Sequence, residues 1–67
     1  MNWDQLEGNW KQFKGRVQQT WGKLTDDDLD YIDGKRVELV GKIQERHGIT
    51  KEKAEQQIDE FTRGLKQ

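Results

Sequence analysis

Apolar residues at Trp3, Leu6, Trp10, Phe13, Val17 and Trp21 step by three or four along the first third of the chain, while glycines return every seventh residue at Gly8, Gly15 and Gly22. The apolar steps place one stripe along one side of an α-helix. Shifted by twenty-six residues, the pattern meets itself again. Asp4, Gly8, Gly15, Gln18 and Gly22 fall on Asp30, Gly34, Gly41, Gln44 and Gly48, and Trp3, Leu6, Phe13 and Val17 fall on Leu29, Ile32, Leu39 and Ile43. The reading is an internal duplication, with pseudo-repeats at 2–22 and 28–48 and a final helix at 50–65, all within one domain spanning 1–67.

Residues 3–21 read as helix, with Asn2 as the N-cap and Asp4 and Glu7 near the positive end of the helix dipole. Gly8 and Gly15 oppose an unbroken helix, since each costs roughly 1 kcal/mol against alanine in a helix interior. Two explanations compete. Either another segment crosses closely at these glycines, or the helix bends at Gly8 into a short and a longer piece; the bend is the expectation adopted. In Gly22-Lys23-Leu24-Thr25-Asp26-Asp27-Asp28, Gly22 is suited to a left-handed C-cap. Thr25 is suited to cap the next helix, with Asp28 closing a capping box. From there Leu29, Ile32, Leu39, Val40 and Ile43 continue at helical spacing to about His47, and Gly34 repeats the doubt raised at Gly8. Gly48-Ile49-Thr50 repeats the cap grammar, with Ile49 placed to pack on Ile43. The last helix carries Ala54, Ile58, Phe61 and Leu65 on one face and is expected to fray over 64–67.

No stretch alternates with period two and there is no proline, so no strand is assigned. The fold class is all-α, a small bundle of three to five helices. Its expected core is Trp3, Leu6, Trp10, Phe13, Val17, Leu29, Ile32, Leu39, Val40, Ile43, Ile58 and Phe61. A chain of 67 residues buries only about 60% of its extended surface, and with 30% hydrophobic against 37% charged residues its stability margin is expected to be thin. The aromatics tip it toward folding, because each buried ring contributes on the order of 2–3 kcal/mol.

The chain has no cysteine, so no disulfide framework or thiolate metal site is available, and a cytoplasmic location is expected. The start Met1-Asn2-Trp3-Asp4-Gln5 lacks a basic region followed by an apolar core, and the longest apolar run is two residues. Neither a signal peptide nor a membrane span is expected. The net charge of −1 argues against a polyanion as obligatory partner.

Catalytic and ligand-binding devices fare poorly. The acidic run from Asp26 to Asp33 invites a calcium loop, but counted from Asp26 the sixth position is Tyr31 and the twelfth is Val37, where glycine and glutamate are needed. Helix capping is the expected role. His47 is the only histidine and precedes a C-cap glycine, where its imidazole suits the negative end of a helix. Serine is absent, and Thr20, Thr25, Thr50 and Thr62 have no adjacent base, so no nucleophile is visible. Glycines seven apart without a preceding strand do not make a phosphate cradle. The chain therefore reads as no enzyme, with no metal or other cofactor. Lys11, Lys14, Arg16 and Lys23 interleave with Trp10, Phe13 and Trp21, a pattern that could serve single-stranded nucleic acid. The rings occupy core spacing, however, so the expectation is buried aromatics with a solvated basic rim, and Glu38 with Lys42 as an ordinary surface pair. Lys11, Lys14, Arg16, Lys35, Lys42 and Arg46 are the candidate contacts to nucleic acid or a protein partner. The expected state is a monomer.

Three stretches together carry a resemblance: Gly-Asn-Trp-Lys-Gln-Phe-Lys-Gly over 8–15, Trp-Gly-Lys-Leu-Thr-Asp-Asp-Asp over 21–28, and Gly-Lys-Arg-Val-Glu-Leu-Val-Gly-Lys-Ile-Gln-Glu-Arg over 34–46. The chain resembles the CsbD-like family of small bacterial proteins, over a length from Trp3 to about Phe61. The resemblance implies two short helical hairpins packed crosswise, similar to sterile-alpha-motif bundles, in a protein made under general stress and at entry into stationary phase. It brings no catalytic residue or ligand with it. The composition also resembles hydrophilins, glycine-rich and very hydrophilic proteins linked to water deficit: there are seven glycines, and the mean hydropathy is −1.25. The expected function is a non-enzymatic, protective role in the stress response, the alternative being a small helical interaction module.

Overall fold

In a computed structural model, which describes residues 2–65, the chain forms five helices: α1 (Trp3–Gly8), α2 (Trp10–Thr20), α3 (Asp26–Ile32), α4 (Arg36–His47) and α5 (Lys51–Gly64). The described residues contain no strand, and no helix among them is long and apolar enough to cross a membrane. The expected all-α bundle is the fold observed. The helix α4 lies at its centre, packed against α3 on one side and α5 on the other, while α1 leans on α2.

Three helices begin where capping chemistry places them. The Asn2 side chain accepts from the Gln5 N–H at 2.9 Å, and the Gln5 side chain accepts in return from the Asn2 N–H at 3.4 Å. Thr25 Oγ1 accepts from the Asp28 N–H at 3.1 Å, and Asp28 Oδ2 accepts from the Thr25 N–H at 3.0 Å. Thr50 Oγ1 accepts from the Lys53 N–H at 3.1 Å, so α5 starts on a simple cap. Each such bond satisfies a helix-end donor that would otherwise have no partner.

The bend expected near Gly8 falls one residue later. Asn9 leaves the helical region at φ −118° and ψ 34°, and its carbonyl accepts from the Gln12 N–H at 2.9 Å to start α2. Nothing lies within 4 Å of where a Cβ on Gly8 would sit, so no close crossing explains that glycine. At Gly34 the other explanation holds. Asp33 and Gly34 both take positive φ, 48° and 79°, and a Cβ on Gly34 would stand 3.1 Å from the Glu7 Cα and 3.2 Å from its carbonyl oxygen. The helix α1 thus crosses directly over the α3–α4 turn, and the Trp3 indole donates to the Gly34 carbonyl at 2.8 Å.

The glycines expected to cap two helices behave differently. Gly48 takes φ 65° and gives its N–H to the Gln44 carbonyl at 2.9 Å, a left-handed cap as expected. Gly22 does not take a left-handed conformation. There α2 stops on Trp21, at φ −117° and ψ 80°, and a turn closes through the Leu24 N–H to the Trp21 carbonyl at 3.0 Å. The ring of Trp21 is drawn into the core at that point, so the chain turns on its anchor instead of on the glycine.

The core contains the fully buried Leu6, Val17, Leu24, Ile32, Leu39, Ile43 and Ile58. Trp21, 2% exposed, and Leu24 belong to it although neither was in the expected set. Trp3, Phe13 and Phe61, which were, lie partly buried at its edge, with Ile49 beside them. The expectation of fraying from Gly64 is corrected. The helix α5 runs to Gly64 and Leu65 is buried in the core, because Ala54, Ile58, Phe61 and Leu65 form one stripe; Lys66 and Gln67 lie outside the described residues.

The two kinds of glycine predict opposite substitutions. Gly34→Ala, with positive φ and Glu7 in the way, is expected to destabilise the fold by about 1–3 kcal/mol. Gly41→Ala, in the interior of α4 with nothing within 4 Å of the added carbon, is expected to stabilise it by about 0.5–1 kcal/mol. Urea unfolding followed by tryptophan fluorescence measures both.

Candidate functional site

Asp28 is the one charged side chain buried among the described residues, at 3% exposure, and charge concentrates around it. The capping box turns its carboxylate back over Thr25 and away from water. From α4, Arg46 reaches across with two bonds, Nε to Oδ2 at 2.7 Å and Nη2 to Oδ1 at 2.9 Å. The Lys42 ammonium, one helical turn earlier, stands 3.6 Å from Oδ1 and 4.9 Å above the centre of the Tyr31 ring. This fork is the geometry in which guanidinium and carboxylate bind most strongly.

The Arg46 hydrogen bond, followed by the Thr25 backbone N–H, holds the Asp28 carboxyl far below the ordinary carboxylate range, against the opposing effect of burial. The same bond raises the already high pKa of Arg46. Both oxygens of Asp28 are bonded within the chain and the side chain is buried, so the carboxylate is held as an anion away from solvent. What the arrangement does is lock the N-terminus of α3 to the last turns of α4.

The candidate contact residues do not share one face. Lys42 and Arg46 converge on Asp28, and Lys42 also lies 3.5 Å from Glu45. The expected surface pair of Glu38 with Lys42 is corrected accordingly: the lysine turns toward the buried Asp28 carboxylate and Glu45 instead. Lys35 stands 3.9 Å from Asp33, both well exposed. Lys11 and Lys14 line a groove between α2 and α3 that also holds Asp26 and Asp30. Arg16 lies apart, on the rim of an open groove of about 750 Å³ with Trp21, His47 and Phe61. His47 sits in the last turn of α4 as expected, with its Nε2 buried and unpartnered among the described residues. The described residues hold no group of three or more His, Cys, Asp or Glu that could bind a metal ion.

The Asp28–Arg46 pair is the feature that sequence reasoning missed. Half of its signal was present, since a capping box directs the third-position acid inward and Lys42 and Arg46 share one face of α4. The remaining half, that this face meets the start of α3, belongs to the packing.

Fold and site together define a small helical bundle tied by an internal ion pair, with its indoles turned inward. The chain belongs to the CsbD-like family, whose family model matches residues 4–56. It is 61% identical over 61 residues to the UPF0337 protein YjbJ of Escherichia coli O6:H1, covering 91% of this chain and 88% of that protein. It is 62% identical over 58 residues to the protein of the same name from Escherichia coli K12, covering 87% of this chain and 84% of the relative. A UPF0337 protein of Nitrosomonas europaea is 52% identical over 61 residues, which are 91% of this chain and 65% of that one.

The ion pair predicts an acid-side loss of stability. Because the folded carboxyl titrates below its unfolded value of about 4, its contribution is fully present above that pH and is lost as the pH falls below it. Asp28→Asn is expected to lower stability at pH 7 by about 1.5–3 kcal/mol, the scale of a charge-assisted hydrogen bond, and to flatten the decline below pH ~4. Thermal unfolding of both proteins from pH 7 down to pH ~2 measures the difference.

Proposed function

We propose that this chain is a non-enzymatic protein of the bacterial stress response, acting in the cytoplasm and in quantity, whose hydrated exterior protects other macromolecules as water is withdrawn. The observation that carries this reading is the inward orientation of the three indoles. Trp10 and Trp21 are buried, Trp3 is partly buried, and each ring N–H is bonded within the chain. Such rings are the side chains that most often anchor a partner at an interface. With them engaged internally, the surface is mainly charged and amide groups, with Tyr31 and Val37 the exposed large hydrophobic side chains among the described residues, in a chain with mean hydropathy −1.25. Membership of the CsbD-like family supports the stress-response part of the reading.

The support for a non-enzymatic role is chemical. The perturbed carboxyl of Asp28 is buried and bonded to Arg46 and Thr25, and a single histidine has neither serine nor cysteine to activate. The test is recovery of a dehydration-sensitive enzyme after drying and rewetting, beside this protein and beside an equal mass of an unrelated small globular protein. Greater recovery with this chain is expected, and equal recovery refutes the protective role.

The alternative, an interaction face for nucleic acid, rests on α2, which carries Lys11, Lys14 and Arg16 and no acid. Titration with single- and double-stranded DNA separates the two readings, since binding through phosphates must weaken steeply with added salt. The protective reading expects no binding even at low salt.

A further inference from the structure

The helices α2 and α3 flank one groove and carry opposite charge. All the ionisable side chains of α2 are basic, whereas α3 holds Asp26, Asp27, Asp28 and Asp30 and no base. Arg46 and Lys42 neutralise Asp28, but Asp26, Asp27 and Asp30 face solvent. Between the helices runs a groove of about 490 Å³, with Lys11 and Lys14 on one wall and Asp26 and Asp30 on the other. Among the described residues no ion pair joins these walls. The charges therefore remain available to something outside the chain.

The relative sense of the two helices follows from two hydrogen bonds. Gln18 Nε2 donates to Asp26 Oδ1 at 3.3 Å, and the Trp10 indole donates to the Leu29 carbonyl at 3.2 Å. As α2 is followed backwards from Gln18 to Trp10, α3 is followed forwards from Asp26 to Leu29, so the two helices run in opposite senses and cross at an angle, with Lys14 and Asp30 both lining the groove between them. A positive wall beside a negative wall is its own complement under a two-fold rotation about an axis along the groove. That rotation lays the positive wall of one copy over the negative wall of the other.

Gly15 leaves room on the positive wall. It lies in the interior of α2 and lines the groove, and nothing stands within 4 Å of where its Cβ would be. Glycine is unfavourable there against alanine, and no contact within the chain calls for it. It leaves the positive wall without a side chain at that point, so a second backbone has room to approach. The net charge of −1 leaves little overall repulsion between copies.

We propose that the α2–α3 groove is a docking surface for a second copy of this chain, forming a weak, salt-sensitive two-fold pair in which Lys14 of each copy faces Asp30 of the other. The pair goes beyond the protective role and stands independently of it. Its population rises with concentration, the direction in which water loss drives a protein solution.

Sedimentation equilibrium on the full chain tests the proposal. Pairing is expected at about 0.01 M salt and should weaken at least about tenfold at about 1 M, where the Debye length falls from ~30 to ~3 Å. Lys14→Glu alone and Asp30→Lys alone each set like charges opposite one another, and each is expected to lose pairing. An equimolar mixture of the two variants is expected to pair again, because each carries the charge that the other has lost. If either substitution disturbs the indole circular dichroism, Lys14→Gln and Asp30→Asn replace them and must each weaken pairing. A chain that stays monomeric at about 1 mM and low salt overturns the proposal. So does pairing that is indifferent to salt, or a mixture that fails to pair although both variants are folded.

Discussion

Each of the three indoles brings into a small interior a large apolar ring and one N–H that must find an acceptor, and the places where those acceptors stand hold the bundle together. Trp3 donates to the α3–α4 turn, Trp10 to the Leu29 carbonyl in α3, and Trp21 to the Gln57 side chain on α5. A buried donor without a partner costs about 1–3 kcal/mol, so a shift of any of these elements exposes that penalty along with the loss of ring burial. The bonds span 31, 19 and 36 residues of sequence. Helices of six and seven residues, such as α1 and α3, are too short to persist alone in water. They exist here because the rings fasten them to elements far along the chain.

The ion pair of Asp28 with Arg46 adds orientation to that attachment. Apolar contacts between α3 and α4 tolerate small rotations of one helix on the other, but a fork that bonds both carboxylate oxygens tolerates few. A second clamp at the opposite corner works in the same way. The Arg36 guanidinium lies 5.9 Å from the centre of the Trp3 ring and also bonds Asp59 at 3.0 Å, so α1, α4 and α5 meet at one side chain. Asp59 is largely exposed, and that contact contributes far less than its geometry suggests.

Much of this was legible from local chemistry. Asn2, Thr25 and Thr50 formed the N-caps expected of them, because capping depends on residues within four positions of each other. The apolar stripes of α2, α4 and α5 gave most of the core for the same reason. Leu24 escaped because it lies beyond the end of α2, where helical periodicity no longer says which way a side chain points, whereas Trp21 stood at the end of the apolar stripe and its burial confirms that spacing. Gly22 and Gly48 occupy matching places in the shifted alignment, yet only Gly48 is left-handed. Gly48 is followed by Ile49, which packs on the core and rewards the left-handed turn, whereas Gly22 follows a tryptophan already anchored there and precedes the exposed Lys23. The partner of Asp28 was illegible on principle, since the cation lies 18 residues away and only tertiary packing selects it.

The candidate basic face shows how packing redistributes function that composition leaves open. Six cations that looked equivalent along the sequence are sorted by the fold into different electrostatic situations. Lys42 and Arg46 are committed to a buried carboxylate, and their charge supports the fold more than it reaches a partner. Lys35 is loosely tied to a neighbouring acid, and Arg16 stands isolated at a groove rim. Lys11 and Lys14 alone confront an opposing row of carboxylates without closing on it. A near-neutral chain can thus carry strongly patterned charge, and at short range it is the pattern, not the sum, that determines what such a surface attracts.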